Sequence, residues 1–371
     1  MENKLIATVD IGSHSCIMLI AAFEDTPVST KVPEQSQEIE QSQEASGSTD
    51  SPTSEAIQVP EQSQGTVQSQ EAEAPVSRQV LVPKLQKVEV CRLGEDIYET
   101  GSISDKKIQE LTRIMTKFRM DLHALGANLK AVAATEAMRK AENSEAVLDA
   151  VEKALWVRPR IISGEEEGKL TFRSVKEWHG KDIVTLDIGG GSTELSNGET
   201  SFSIPVGALK MFKAMGPIPG PEYKKFIKET FKDVSFKGMT KKQVYLIGGT
   251  GTALAMVYLN KQIFDYKAIE GLELTIRDLD AVTTRITNLS KELRAMLPGL
   301  ENGRHEVIIC GLFWLKSLLE KLRVESFKIS TAGLRFGLLY PPEEEPEQKP
   351  KAKRIPPWLK KNEQRKVKNE E

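Results

Sequence analysis

An α/β fold is predicted by three observations on this chain of 371 residues. Short runs of β-branched and aliphatic residues alternate with segments whose apolar residues recur at helical spacing. Two of these runs end in the same device: Leu5-Ile-Ala-Thr-Val9 leads into Asp10-Ile-Gly-Ser-His-Ser15, and Ile183-Val-Thr-Leu186 leads into Asp187-Ile-Gly-Gly-Gly-Ser-Thr-Glu194. The composition is globular, 39% hydrophobic and 28% charged, and the length suffices for two domains.

In chain order, the first strand covers 5–9 and a second apolar strand leaves the turn that follows it. From about Asp25 to Val80 the pattern stops. This stretch is rich in Gln, Ser, Glu and Pro, and it repeats itself: Val32-Pro-Glu-Gln-Ser-Gln37 recurs as Val59-Pro-Glu-Gln-Ser-Gln64, and Gln41-Ser-Gln-Glu-Ala45 as Gln68-Ser-Gln-Glu-Ala72. It holds too little apolar surface to offset the entropy of ordering. It therefore reads as a disordered insertion in a β-hairpin loop, where closure entropy grows only logarithmically with length. Strands resume at 79–82 and 87–91. Ser104 is placed to cap a helix whose apolar residues are Ile108, Leu111, Met115, Phe118 and Leu122. A strand at 129–133, a helix at 143–155 and a strand at 158–162 follow. The strand 244–247 ends at Gly248, and helices are expected at 252–261, 277–296 and 305–322. Beyond about 341 an acidic run, Glu343-Glu-Glu345, precedes many lysines and arginines. This reads as a solvated terminus, with an auxiliary polyanion tether as the sharper alternative.

The formal net charge is -2, so a polyanion must be held by a local basic cluster, and global charge gives no support to nucleic-acid binding. Cys16, Cys91 and Cys310 are scattered and lack zinc spacing, which favours buried reduced thiols. No apolar run reaches membrane-spanning length and no basic leader precedes the first strand, so no membrane role and a cytoplasmic location are expected.

The paired Asp-Ile-Gly turns point to chemistry. Glycine lets the N–H groups of a turn approach an oxyanion closely. An Asp at a strand end is well placed for a metal or water contact. One such turn alone is an ordinary hairpin feature. Two in matched strand context can face each other across a cleft and hold a phosphate chain. Neither is a Walker loop, because no Gly-Lys-Ser/Thr ends it, and neither is the G-x-G-x-x-G dinucleotide turn.

With these turns stand Arg92-Leu-Gly-Glu95, Ala134-Thr-Glu-Ala-Met-Arg139, Ile162-Ser-Gly-Glu-Glu-Glu-Gly168, Pro205-Val-Gly207, Gly248-Gly-Thr-Gly-Thr252 and Ala332-Gly-Leu-Arg-Phe-Gly337. As an ordered set they resemble the exopolyphosphatase/guanosine pentaphosphate phosphohydrolase (Ppx/GppA) family, of the actin, sugar-kinase and Hsp70 superfamily. The resemblance implies α/β architecture with two actin-like (ribonuclease H-like) domains and an interdomain cleft. The first domain would span 1–135, interrupted by the 25–80 insertion, with 327–340 returning to it. The second would span 136–326, and 341–371 would be a disordered tail. The implied activity is hydrolytic removal of a terminal phosphate from polyphosphate or from guanosine pentaphosphate (pppGpp), with a homodimer among the expected assemblies.

The resemblance also assigns residues. Glu167 matches the catalytic glutamate, and Asp187 and Glu194 match acids of the second phosphate loop. Phosphate donors would come from Gly12, Ser13, His14 and Ser15 and from Gly189, Gly190, Gly191, Ser192 and Thr193. Asp10, Asp187 and Glu194 would hold Mg²⁺ (or Mn²⁺), and Glu167 would activate water. Arg92, Arg139, Lys210 and Arg335 are candidate phosphate clamps, with Arg304 a weaker one. The chain departs from the family pattern at His14, which replaces Asn, at Lys210, which replaces Arg, and at Phe336, which replaces Glu and so removes a carboxylate expected near the cleft. Two other readings stay open. One is an actin-like kinase or ATPase using Gly248-Gly-Thr-Gly-Thr252 at the adenosine. The other is a non-catalytic sensor of polyphosphate or an alarmone, which Phe336 and His14 would favour.

Overall fold

The computed structural model describes residues 4–27, 77–300 and 303–341. Their strands form two sheets. The first contains β1 (Ile6–Ile11), β2 (Ser15–Pro27), β3 (Ser77–Val90), β4 (Asn128–Ala134) and β5 (Arg160–Ile161), in the order β3-β2-β1-β4-β5. The second contains β6 (Ile183–Ile188), β7 (Thr193–Ser196), β8 (Ser201–Ile204), β9 (Gln243–Ile247), β10 (Glu273–Thr275) and β11 (Ser326–Ile329), in the order β10-β11-β9-β6-β7-β8.

The sheets are built alike. β1 pairs antiparallel with β2 and parallel with β4, and β6 pairs antiparallel with β7 and parallel with β9. β1 and β6 are central strands, and their apolar residues are buried. This is why both read as continuous Ile, Val and Leu runs rather than as an alternating pattern.

The hairpin β2–β3 is longer than expected. The two predicted pieces at 79–82 and 87–91 are parts of one strand, paired with β2 from Ser15↔Val90 to Pro27↔Ser77. Pro83 would argue against a strand interior, but β3 is an edge, and the register shifts beside Pro83, between Ile20 and Ala21. The expected disorder from 25 to 80 is corrected at both margins, since 25–27 and 77–80 are strand. The rest of the expected insertion, and the expected tail, lie outside the described residues.

Helices Asp105–Ala124 and Ser144–Leu155 bury Leu111, Met115, Phe118, Val147 and Val151 under the first sheet, and the Ser104 hydroxyl accepts from the Lys107 amide as the cap. Helix Gly248–Leu259 and helix Arg304–Leu322 fill the core of the second sheet, where Trp314 is fully buried and stacks on Phe231. The single helix expected over 277–296 is two, Ile276–Thr287 and Lys291–Ala295. Ser290 starts the second by accepting from the Leu293 amide.

The expected division at 135/136 does not follow the sheets. Ala137, Met138 and Val147 pack in the core of the first sheet, and β5 closes its edge. The chain changes sheet through helix Gly164–His179, which follows β5 but packs against the second sheet: Gly168 lies against the Ser201 hydroxyl and the Leu195 carbonyl. The short helix Leu334–Gly337 follows β11 but packs against the first, where the Thr8 hydroxyl donates to the Arg335 carbonyl at 2.9 Å. The two crossing helices meet where Gly337 lies against the Leu170 backbone. An apolar cluster of Ile6, Leu19 and Leu81 with Phe172, Tyr245 and Ile247 ties the sheets together behind the cleft.

Candidate active site

Each Asp-Ile-Gly turn closes with the same bond. The Gly12 amide donates to the Ser15 carbonyl at 3.0 Å, and the Gly189 amide donates to the Ser192 carbonyl at 3.0 Å. Each is also braced from its own half: the Thr135 hydroxyl donates to the Ile11 carbonyl, and the Thr250 hydroxyl to the Ile188 carbonyl. The turns face each other closely. A Cβ built on Gly190 would lie 3.6 Å from the Cβ atoms of Ser13 and His14. Between them opens a pocket of about 140 Å³ lined by Gly12, Ser13, His14, Ser15, Gly189, Gly190, Gly191 and Ser192.

The acids Asp10, Asp187, Glu194 and Glu167 line the same pocket. Asp10 and Asp187 end the two central strands. Glu194 enters from β7, directly opposite Asp187 in register. Glu167 stands in the first turn of the crossing helix Gly164–His179. Burial raises all of them. Asp10 is pushed up to about 7, with Asp187 adding and Arg335 opposing. Glu194 rises to about 7 through burial and the neighbouring Asp187. Asp187 rises to about 6 through burial, against the pull of Arg335. Glu167 is held well above the usual range by burial and by Glu194, against Arg139.

The positive charge facing these acids comes chiefly from two side chains. Arg335 is buried behind the pocket; its Nε donates to Gln86 Oε1 at 2.9 Å and its Nη2 to the Thr331 carbonyl at 2.6 Å. Arg139 donates to Glu167 Oε2 at 3.0 Å and to the Ile162 carbonyl at 2.8 Å, and lies 4.0 Å from Glu194 Oε1. Packed carboxylates with raised proton affinity, in a pocket short of positive charge, are a donor set for a hard cation. Asp10 Oδ1 fits that role: it is buried and has no hydrogen-bond partner. A close fit also surrounds Asp187, since a Cβ at Gly248 would run into Asp187 Oδ1. Among the described residues, no group of three or more His, Cys, Asp or Glu side chains is arranged to enclose an ion unaided, so Asp10, Asp187 and Glu194 do not form a closed cage. Mg²⁺ is commonly held by one or two carboxylates, with water and substrate phosphates completing the shell.

Not every expected phosphate ligand reaches the pocket. Thr193 is fully buried below the turn; its hydroxyl donates to the Val206 carbonyl at 2.6 Å and accepts from Trp314 Nε1 at 2.8 Å. Lys210 turns its ammonium to the Pro205 carbonyl. Arg92 lies outside the pocket wall, between Glu95 and Glu306. Arg139 serves the carboxylates instead. Arg304, the weaker candidate, does line the pocket. The His14 imidazole is pushed down to about 4 by burial and by Arg304, Arg92 and Lys107. It is therefore neutral at pH 7 and retains one N–H to donate. Phe336 does not face the cleft. It is 2% exposed and packs edge-on against Trp178, with ring centroids 5.2 Å apart, so the carboxylate it replaces is not missing from the pocket.

Sequence reasoning missed Glu136. Its carboxylate accepts from the Ser13 hydroxyl at 2.6 Å and from the Tyr98 hydroxyl at 3.0 Å, and it pairs with Lys140. Burial would raise it, but these bonds outweigh that and hold it below the usual carboxylate range. It sits inside the Ala-Thr-Glu-Ala-Met-Arg motif, and only the fold reveals that the motif abuts the first turn.

Two like-built α/β halves, with glycine turns opposed across a carboxylate-lined cleft, define an actin-like fold. The chain belongs to the Ppx/GppA phosphatase family, whose sequence profile matches residues 72–345. Exopolyphosphatase 1 of Mycobacterium leprae is 27% identical over 267 residues, covering 67% of this chain and 78% of that protein. Among solved structures, the Aquifex aeolicus PPX-GPPA enzyme superposes with a TM-score of 0.64 at 21% identity, over 91% of this chain and 98% of the other. An exopolyphosphatase from Cytophaga hutchinsonii gives 0.67 at 16% identity, over 91% and 97%. At those identities the structures speak to the fold.

Proposed function

We propose that this chain is a phosphohydrolase of the exopolyphosphatase type, removing the terminal phosphate from inorganic polyphosphate. The observation that carries the proposal is the opposition of two glycine turns over Asp10, Asp187, Glu194 and Glu167. Family membership and the exopolyphosphatase relatives support it.

In this reading the terminal phosphates lie between the turns. Backbone N–H groups of 13–14 and 190–192, with the Ser192 hydroxyl, donate to their oxygens. Glu136 anchors the first turn by accepting the Ser13 hydroxyl at 2.6 Å. Arg335 and Arg304 offset the charge of the chain. Asp10, Asp187 and Glu194 would share the task of holding Mg²⁺ or Mn²⁺, which when bound neutralises phosphate oxygens. Glu167 is the base. Burial and the neighbouring Glu194 raise its proton affinity, which makes it a stronger base toward water, and Arg139 fixes its carboxylate at 3.0 Å. Phosphoryl transfer then needs mainly alignment and charge stabilisation, both of which these residues provide. Guanosine pentaphosphate presents the same terminal anhydride and would use the same machinery. A cytoplasmic location belongs to this reading, supported by three buried free thiols.

Phosphate release by the purified chain with Mg²⁺, compared on long-chain polyphosphate, pppGpp and ATP, tests it. Release from polyphosphate that falls about 10²- to 10⁴-fold in Glu167→Gln, the range of a lost general base, is the expected result. Release from ATP alone would replace the proposal with an ATPase, and ligand binding without release from any of the three would make the chain a sensor.

A further inference from the structure

A basic groove lies away from the cleft. Residues 221–242 hold seven lysines against three acidic residues, in a chain of net charge -2. Helix Tyr223–Thr230 in this segment buries no residue of its own. It is fastened to helix Arg304–Leu322 by Tyr223, whose hydroxyl donates to the Phe313 carbonyl at 2.7 Å and shares a bond with the Ser317 hydroxyl at 2.9 Å. Lys224, Lys228 and Lys232 follow one another at four-residue intervals, about 6 Å apart along a helical course. With Lys321 they line a groove of about 480 Å³ floored by Ile227 and Phe231. The Lys321 ammonium stands 5.3 Å from the centre of the Phe231 ring.

None of these four lysines forms an ion pair among the described residues, and Glu229 is the acid that shares the groove. Other lysines are paired, Lys213 with Glu99, Lys242 with Asp182 and Lys316 with Asp280, while Lys225, Lys237 and Lys241 of the same segment add further charge with no ion pair among the described residues. Four unpaired ammonium groups around one groove repel one another, and an anion relieves that repulsion. The groove offers no exposed ring on which a nucleobase could stack, because Phe231 is buried. Nor does its apolar floor project as a membrane-inserting helix face would, since Ile227 is half-buried. A polymer of bare phosphates needs neither feature.

We propose that this groove is a second, distal binding site for polyphosphate, holding part of a long chain whose end lies in the cleft. The proposal rests on the reading of the cleft given above. Arg304, at the start of helix Arg304–Leu322, lines the cleft, and Lys321, near its end, lines the groove. The two are 17 residues, about 26 Å, apart along the axis. A short oligophosphate reaches one site at a time, whereas a long chain engages both and gains affinity by linkage.

The test is equilibrium binding to the full chain carrying Glu167→Gln, with fluorescent long-chain polyphosphate as probe and tripolyphosphate as competitor. The wild-type chain in chelator serves as a second background. In the combined variant K224Q/K228Q/K232Q/K321Q, the dissociation constant for long-chain polyphosphate should rise at least about tenfold. The slope of log affinity against log salt should flatten by about 3, four contacts at the single-strand coefficient of about 0.7 each. Tripolyphosphate affinity should stay within about twofold, and Lys→Arg at all four positions should restore long-chain binding. Unchanged long-chain affinity, or an equal loss for tripolyphosphate, would overturn the proposal. So would loss of binding to single-stranded RNA or anionic vesicles with polyphosphate binding unchanged, since the groove would then serve another polyanion. Failure of the hydrolase reading is seen separately, as no phosphate release by the wild type, and the binding comparison still decides the groove.

Discussion

The two halves of the molecule share a frame and differ in chemistry. Reading β3-β2-β1-β4-β5 against β8-β7-β6-β9-β11, strand order and direction agree, and each half closes its turn with an amide-to-carbonyl bond of 3.0 Å. Each also braces its turn with a threonine hydroxyl, Thr135 or Thr250. The side chains hung on this frame do not agree. Opposite Asp10 in register stands Ile17, and opposite Asp187 stands Glu194. The first turn carries a neutral imidazole, the second three glycines. The crossover helix after β4 begins with Glu136, and the one after β9 begins with Gly248 and Gly249. Backbone geometry is thus shared between the halves, while acid, donor and hydroxyl are divided between them.

Steric room in the second turn is the sharpest difference, and changing it should have the largest effect. A Cβ at Gly207 would run into the backbone of Gly190 and Gly191, and one at Gly191 into Tyr98 and Glu136. Gly207→Ala must therefore move the turn itself, and kcat/KM should fall at least about 100-fold, the cost of displacing a site by about 1 Å. Gly190→Ala meets only ordinary contacts at 3.6 Å, so the fold should keep its melting temperature. Unchanged stability and activity in Gly207→Ala would show that the turn tolerates displacement.

Next comes the unmatched acid. Glu194 is 3% exposed and accepts from the Ser203 hydroxyl at 2.7 Å. Glu194→Gln should raise the Mg²⁺ concentration for half-maximal rate about 10- to 100-fold, as loss of an ion's supporting group does. The same change removes a buried charge, so the metal-free protein should melt higher. Activity and stability moving together would mean that Glu194 is structural.

A smaller effect follows from pH. Asp10 and Glu194 at about 7 and Asp187 at about 6 bind protons more tightly folded than unfolded. Their contribution to stability is full below the unfolded values near 4 and is lost as pH rises through 6 to 7. His14, pushed down to about 4, acts the other way, losing stability as pH falls below about 6.5. Above that pH only the carboxylates act. The metal-free protein should therefore melt lower at pH 8 than at pH 6.5, and Mg²⁺ should raise the melting temperature more at pH 8. A flat profile in thermal melts would show that the acids are already paired in solution.

Much of this was legible in the sequence, for a physical reason. Central strands buried on both faces read as near-continuous apolar runs, so β1, β6 and β9 stood out, and so did the glycine turns that follow β1 and β6. What escaped is tertiary. Pro83 split β3 into two apparent strands because nothing local shows that it lies beside a bulge on an edge. Ser290 was a readable cap inside an otherwise helical pattern, and it divides 277–296. Glu136 and Phe336 depend on which element lies opposite, and spacing along the chain does not reveal that.

Thr193 gives the smallest expected effect and the finest comparison. It stands where the first half has Cys16: both pair across the hairpin with the Ile that precedes the glycine turn, at Ile188↔Thr193 and Ile11↔Cys16. Read from the motif, its hydroxyl was a phosphate donor, like that of Ser192. In the fold it spans the Val206 carbonyl and the Trp314 indole N–H, both beneath the turn. Cys16 likewise turns inward, to the Cys91 sulfur at 3.3 Å. The position is therefore a footing for the turn in both halves, with its polar atom directed away from the cleft. Thr193→Val keeps the shape and strands the buried indole N–H, which should cost about 1–3 kcal/mol of stability. KM for polyphosphate should stay within about twofold, while Ser192→Ala should raise it. If Thr193→Val raises KM as much as Ser192→Ala and leaves denaturant stability intact, the hydroxyl works on substrate and the two footings are not equivalent.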